Sequence, residues 1–272
     1  MANAPIRPAA VAGAFYPADP RALQALVSDL LNAAMPIETV HWPKAIIVPH
    51  AGYVYSGAIA ANAYASVRGA RDFYRKVVLM GPCHRVAVEG FALPASQWLA
   101  TPLGEVAVDR ESWEALQQLP DVSVNEEAHA QEHALEVQLP FLQSVLAHIS
   151  VVPIVVGRTT PARVAQVLEQ VWGDETTLIV ISSDLSHYLN YAQARACDKA
   201  TVEQILDLQP GLGFDQACGA LPVNGLLLAA QRHHLAATLL DQRNSGDTAG
   251  GRDRVVGYAS VAFSTQRPHV AH

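Results

Sequence analysis

The sequence predicts an α/β fold in which a largely parallel sheet is flanked by helices on both faces. Two observations carry this. Short apolar runs rich in Val, Ile and Leu alternate along the chain with longer helical patterns, the order that wires a parallel sheet. Three of those runs, AIIV at 45–48, KVVLM at 76–80 and LIVI at 178–181, are each followed within a few residues by a histidine: His50, His84 and His187. Open α/β sheets place their sites beyond the carboxyl ends of strands, and this is where the three histidines fall.

Each element has a local reason. Residues 1–19 read as an irregular arm punctuated by Gly13, Pro17 and Asp19, with Phe15 and Tyr16 pinning it to the body. Asp19 caps a helix that has Pro20 at its first position and runs to Met35, where Pro36 ends it. The strand at 45–48 stops at Pro49, which has no N–H for a ladder. A loop with Gly52, Tyr53, Tyr55, Ser56 and Gly57 follows, then a small-residue helix from Ala58 to Val67. Lys76–Met80 is the second strand. Val86–Leu93 and Leu103–Val108 read as short strands of a hairpin-like insertion, and Asp109 caps a helix to Leu119. Residues 120–131 look like loop. Glu132–Ala147 reads as a helix interrupted by Pro140. Val151–Val156 is the third strand, Thr160–Trp172 a helix opened by Pro161, and Leu178–Ile181 the fourth strand. Tyr191–Leu208 is a helix. Pro210, Gly211 and Gly213 then break the chain before a helix from Leu221 to His234 with Pro222 at its start. Gly246–Arg252 is a flexible loop, and Val255–Phe263 the last strand.

The 272 residues allow one large domain or two small ones, and 50% hydrophobic residues fill a sizeable core. A net charge of −7 argues against a nucleic-acid or anionic-membrane partner, which needs a basic face. Three cysteines and no basic-then-apolar leader point to a reducing cytoplasm without a disulfide framework. No apolar run reaches about 18 residues, so no membrane span is expected.

Imidazole is the commonest ligand for first-row transition metals. One histidine at a strand end is most simply a hydrogen-bonded loop residue; three at equivalent ends of one parallel sheet favour a shared site. Asp184, three residues before His187, has three readings: a metal ligand, a carboxylate that orients a histidine through its second N–H, or a cap on the next segment. Cys218, near the start of a helix, has the lowered thiol pKa of a ligand or nucleophile, or is a small buried hydrophobe. Cys197 reads as core, and Cys83 beside His84 as either. HAQEH at 129–133 matches the H-x-x-E-H of zinc peptidases, with Glu132 as base. His133 has a plainer reading as part of an exposed helix pair with Glu136, and a functional one as an acid or base facing the pocket.

Taken together, VAGAFYP, VPHAGYVYSG, GPCH, EHALEVQLPFLQ, SSDLSHY, the CG before a helix and VVGYAS resemble the Memo family, whose microbial members are called AmmeMemoRadiSam system protein B. The pieces span residues 11–260. The resemblance implies a single α/β domain with a mixed, mostly parallel sheet like that of the class III extradiol dioxygenases, which hold non-haem Fe(II) with two histidines and a glutamate. By that resemblance His50 and His84 are metal ligands and Cys218 replaces the glutamate. His187 is a further ligand or the acid/base, with His133 the other acid/base candidate. Tyr53 or Tyr55 would orient the substrate. A thiolate also suits copper or zinc. Three expectations follow: an iron-dependent redox enzyme on a small substrate, a metal- or peptide-binding protein without turnover, and a zinc hydrolase through His129, Glu132 and His133. The family name also implies a functional link to a radical-SAM protein.

Overall fold

The computed structural model describes residues 5–35 and 42–265. In chain order, Ile6–Arg7 is β1, Pro20–Ala33 α1, Ala45–Val48 β2, Tyr53–Ala65 α2 and Lys76–Pro82 β3. Phe91–Leu93 (β4), Trp98–Thr101 (β5) and Gly104–Val108 (β6) precede Arg110–Gln117 (α3) and Val122–Val124 (β7). Glu126–Ala130 (α4), His133–Glu136 (α5) and Leu139–Val145 (α6) are followed by Ser150–Val156 (β8), Pro161–Val171 (α7) and Thr177–Ser182 (β9). The chain continues through His187–Leu189 (β10), Tyr191–Leu206 (α8), Ala220–Arg232 (α9), Leu235–Asn244 (β11) and Val255–Thr265 (β12).

One mixed sheet runs in the order β1-β5-β6-β8-β3-β9-β2-β12-β10, with β11 also paired to β12. Its centre, β8-β3-β9-β2, is parallel, and β12 closes antiparallel on β2. Side chains alternate across the central strands. Ile46, Val48, Leu79 and Val180 face the layer built from α1, α2 and α6. Ile47, Val78, Met80, Ile179 and Ile181 face the layer that holds α7 and α9. This period of two makes apolar runs buried on both faces, the pattern visible in the sequence. Among the described residues no helix is long and apolar enough to cross a membrane.

The caps expected at Asp19 and Asp109 are present, each side chain accepting from a backbone N–H in the first turn. α1 ends at Ala33, and Pro36, expected to end it, lies outside the described residues. Several boundaries differ from expectation. The loop at 52–57 is the first turn of α2, which begins at Tyr53. The helix expected over 132–147 is two short helices parted at Val137 and Gln138, and Pro140 opens the second rather than interrupting one. The loop at 120–131 contains β7 and α4. β11, a ten-residue strand, was not expected at all.

Candidate metal centre

β2, β9 and β3 are parallel neighbours, so their carboxyl ends open on one edge. His50 stands two residues beyond β2 and His84 two beyond β3, while His133 is the first residue of α5. Their rings meet over that edge, with centroids 5.2 Å (His50–His84), 5.3 Å (His50–His133) and 4.7 Å (His84–His133) apart. One ligand nitrogen from each lies within 4.8 Å of the others. Cys218 Sγ, just before α9, is 3.2 Å from His50 Nε2. These residues line a cavity of about 570 Å³ with Asp184, His187, Tyr188, Leu189, Cys197, Phe214 and Asp215.

The proton on His50 is fixed by its neighbours. Ser182 Oγ gives its one hydrogen to the Ala134 carbonyl (2.7 Å) and accepts from Gln138 Nε2 (2.9 Å). The 2.9 Å contact between His50 Nδ1 and Ser182 Oγ is therefore the ring N–H donating, which leaves the Nε2 lone pair toward Cys218. Gln138 is itself locked by the Pro49 carbonyl and the Tyr64 hydroxyl. Burial first, and then the charge of His84, hold the His50 pKa down to about 3.

Glu132 does for His84 what Ser182 does for His50. Its carboxylate accepts from the His84 backbone N–H (2.6 Å) and faces Nδ1 at 2.9 Å. Burial pushes the Glu132 pKa up, but the hydrogen bonds and charge of His84, with the Ala134 N–H, carry it down to about 2. An ionised carboxylate only accepts, so His84 Nδ1 donates to it and Nε2 is the nitrogen left facing the cavity. His133 is held neutral by burial and by the charge of His50, its pKa lowered to about 4. Its buried Nδ1 has no hydrogen-bond partner among the described residues, Glu132 Oε1 standing 3.4 Å away.

This donor set fits a transition-metal ion. Three imidazoles stand together, two of them with the far nitrogen anchored, and a third carries an unmatched buried nitrogen. A nitrogen and a thiolate sulfur on one ion lie no more than about 4.4 Å apart, so Cys218 and His50 can share one.

Other expectations are corrected. The thiol of Cys218 is not activated by its helix: burial first, and then the charge of Asp184, push its pKa up to about 12. Only a bound cation would make it a thiolate here. Asp184 does not take the second N–H of His50, which goes to Ser182. It accepts the His50 backbone N–H at 2.7 Å, and its other oxygen lies 4.0 Å from Nε2. His187 lines the cavity but stands outside the three-imidazole cluster, whose third ring is His133. Tyr53 is core: its ring packs on Phe141, and its hydroxyl donates to the Val137 carbonyl at 2.6 Å. Tyr55 is exposed and lines no part of the cavity. The zinc-peptidase pattern fails because His129 and His133 sit on different helices, and His129 is buried against the Ala92 carbonyl at 2.9 Å. Glu136 is no exposed partner of His133 but a buried carboxylate bonded to Arg7.

Ser182, Gln138, Tyr188, Phe214 and Asp215 were not anticipated. SSD after a strand was the only signal for the first, and nothing local marks the others. A larger cleft of about 710 Å³ lies at the opposite edge of the sheet, beside Trp42, Lys44, Trp172 and His233. Lys44 gives hydrogen bonds to three carbonyls there, and among the described residues the cleft gathers no metal-ligating set.

Residues 7–262 match the family model described as Memo-like protein. A MEMO1 family protein of Aquifex aeolicus is 37% identical over 270 residues, covering 95% of this chain and 99% of that one. One from Sulfolobus acidocaldarius is 34% identical over 288 residues with the same coverage. Among solved structures, uncharacterized protein JW3007 from Escherichia coli K12 aligns with a TM-score of 0.54 at 14% identity. The alignment covers 80% of this chain and 98% of that one, a likeness of fold.

Proposed function

The chain belongs to the Memo-like protein family, and from that premise we propose that it holds one transition-metal ion, iron(II) by first choice with copper or zinc as rivals, and performs redox chemistry on a small substrate. The observation that carries this is the cluster of three imidazoles, with the unpartnered nitrogen of His133 in it. His50 and His84 would hold the ion through Nε2. Cys218 and His133 stand on either side as candidates for the third place. Such an ion supplies a Lewis-acid, one-electron centre when bound. The protein's own part is orientation and proton handling. His187 Nδ1 donates to the Leu185 carbonyl at 2.8 Å, which leaves Nε2 on the cavity wall as the nitrogen placed to exchange a proton with a substrate. Asp184, buried and pushed above the usual carboxylate range by burial, is a second proton holder.

A second reading keeps the metal and gives up turnover, the cavity then serving as a small-molecule or peptide site. The exposed Phe214 and Tyr188 at the cavity favour it.

Metal content of protein purified without oxygen tests the proposal. Stoichiometric iron in the wild type, lost in His50→Ala, is expected; Cys218→Ser and His133→Ala then tell which side chain completes the set. Metal content indifferent to His50→Ala, or no metal at all, would reduce the cluster to loop histidines. Oxygen uptake with catechols separates the enzyme from the binding protein.

A further inference from the structure

The walls of the cavity carry a sign as well as a shape. Among the residues that line it are two aspartates, Asp184 and Asp215, and four histidines, but no lysine or arginine. Asp215 is exposed and makes no ion pair among the described residues. The cavity also carries two exposed rings, Tyr188 at 63% and Phe214 at 70%. Tyr188 has φ 61°, a left-handed backbone that a bulky residue adopts only at a cost. The Arg254 guanidinium, outside the lining, already sits over the Tyr188 ring, 5.0 Å from its centroid.

Resting on the reading that a small substrate enters here, we propose that the cavity selects flat aromatic ligands with a cationic side arm, arylalkylamines, over the matching aromatic acids. Tyr188 and Phe214 cover the ring, and Asp215 receives the ammonium. An aromatic ring on those two side chains removes apolar surface from water. An ammonium meets a free carboxylate and the faces of aromatic rings. A carboxylate arm on the same scaffold meets the same Asp215, with no lysine or arginine in the lining to pair with it, which is discrimination by repulsion.

Three probes matched in ring and differing in charge decide it: dopamine, 4-ethylcatechol and 3,4-dihydroxyphenylacetate. Their dissociation constants are measured without oxygen, on iron-loaded and on chelator-treated protein. The expected order of affinity is amine, neutral, acid in both forms, with amine over acid by about tenfold, or 1.4 kcal/mol. Asp215→Asn should shrink the amine-to-acid ratio toward one, and Phe214→Ala should weaken all three alike. An equal or reversed order, a ratio that survives Asp215→Asn, or no binding of any probe overturns the inference. If the protein proves to hold no metal, the functional reading falls, yet the order on chelator-treated protein still decides this one.

Discussion

At His50 the ring proton sits on Nδ1 because Ser182 has no hydrogen left to give, and burial does the rest. The same burial acts on His129 and His133, and all three are held at about 3 to 4. Below the ordinary histidine value of about 6.5 the unfolded chain takes up protons that the folded chain refuses. Their contribution is therefore whole above 6.5 and is lost as pH falls toward 4, each unit of depression costing about 1.4 kcal/mol. Glu132 adds to the loss, since its folded pKa of about 2 lies below its unfolded value, while Asp184, raised by burial, opposes it. We predict that the urea midpoint of metal-free protein drops steeply from pH 6.5 to 4.5. Changing His129 to Gln should flatten that slope by close to one proton. A midpoint constant across this range would mean that these rings are hydrated and not buried.

Among the elements, α5 does more than its four residues suggest, because the arm at the start of the chain is bolted to it. Glu136 accepts from Arg7 Nη1 (2.6 Å), the Ala10 and Val11 N–H groups (2.8 and 2.9 Å) and the Tyr16 hydroxyl (2.5 Å). Arg7 also donates to the carbonyls of His129 and Glu132. Phe15, on the same arm, packs on the His133 ring at 4.7 Å. The arm thus seats the helix start that carries His133 and the loop residue Glu132. Removing one partner of a buried ion pair strands the other charge, at a cost of about 3–5 kcal/mol. Glu136→Ala should lose stability on that scale in chemical unfolding and expose the chain near Arg7 to trypsin. A loss under about 1 kcal/mol would mean that the arm is only loosely attached. At the other side of the cavity Gly219 lets α9 approach β9: a Cβ there would stand 2.7 Å from the Ser183 side chain. Cys218 is delivered to His50 by that close packing.

Over the whole molecule, the candidate ligands come from residues 50, 84, 133 and 218, on four segments joined only by the fold. An ion bound by them binds the folded state alone and stabilises it by mass action, about 2.7 kcal/mol at a free concentration 100 times its dissociation constant. Calorimetry of iron-loaded against metal-free protein should show a melting temperature higher by several degrees, and none of that rise in His50→Ala. An equal rise in that variant would place the metal elsewhere.

What the sequence determined by itself is what short-range chemistry controls. Runs buried on both faces had to be central strands, and Asp19 and Asp109 had to cap helices, because the responsible atoms lie within a few residues. His50 and His84 followed, since a strand and its end are both local. What the sequence left open turns on partners far along the chain. β11 lacks a clean alternation, being mostly half-buried, and is a strand because its ladder to β12 exists. Tyr53 looked like a ligand-facing loop residue until the carbonyl of Val137, 84 residues away, claimed its hydroxyl. His133 rather than His187 joins the cluster because α5 is held over the sheet edge by bonds such as Arg7–Glu136, 129 residues apart. Periodicity and capping record which way a side chain faces on its own element. Only tertiary packing decides what it faces.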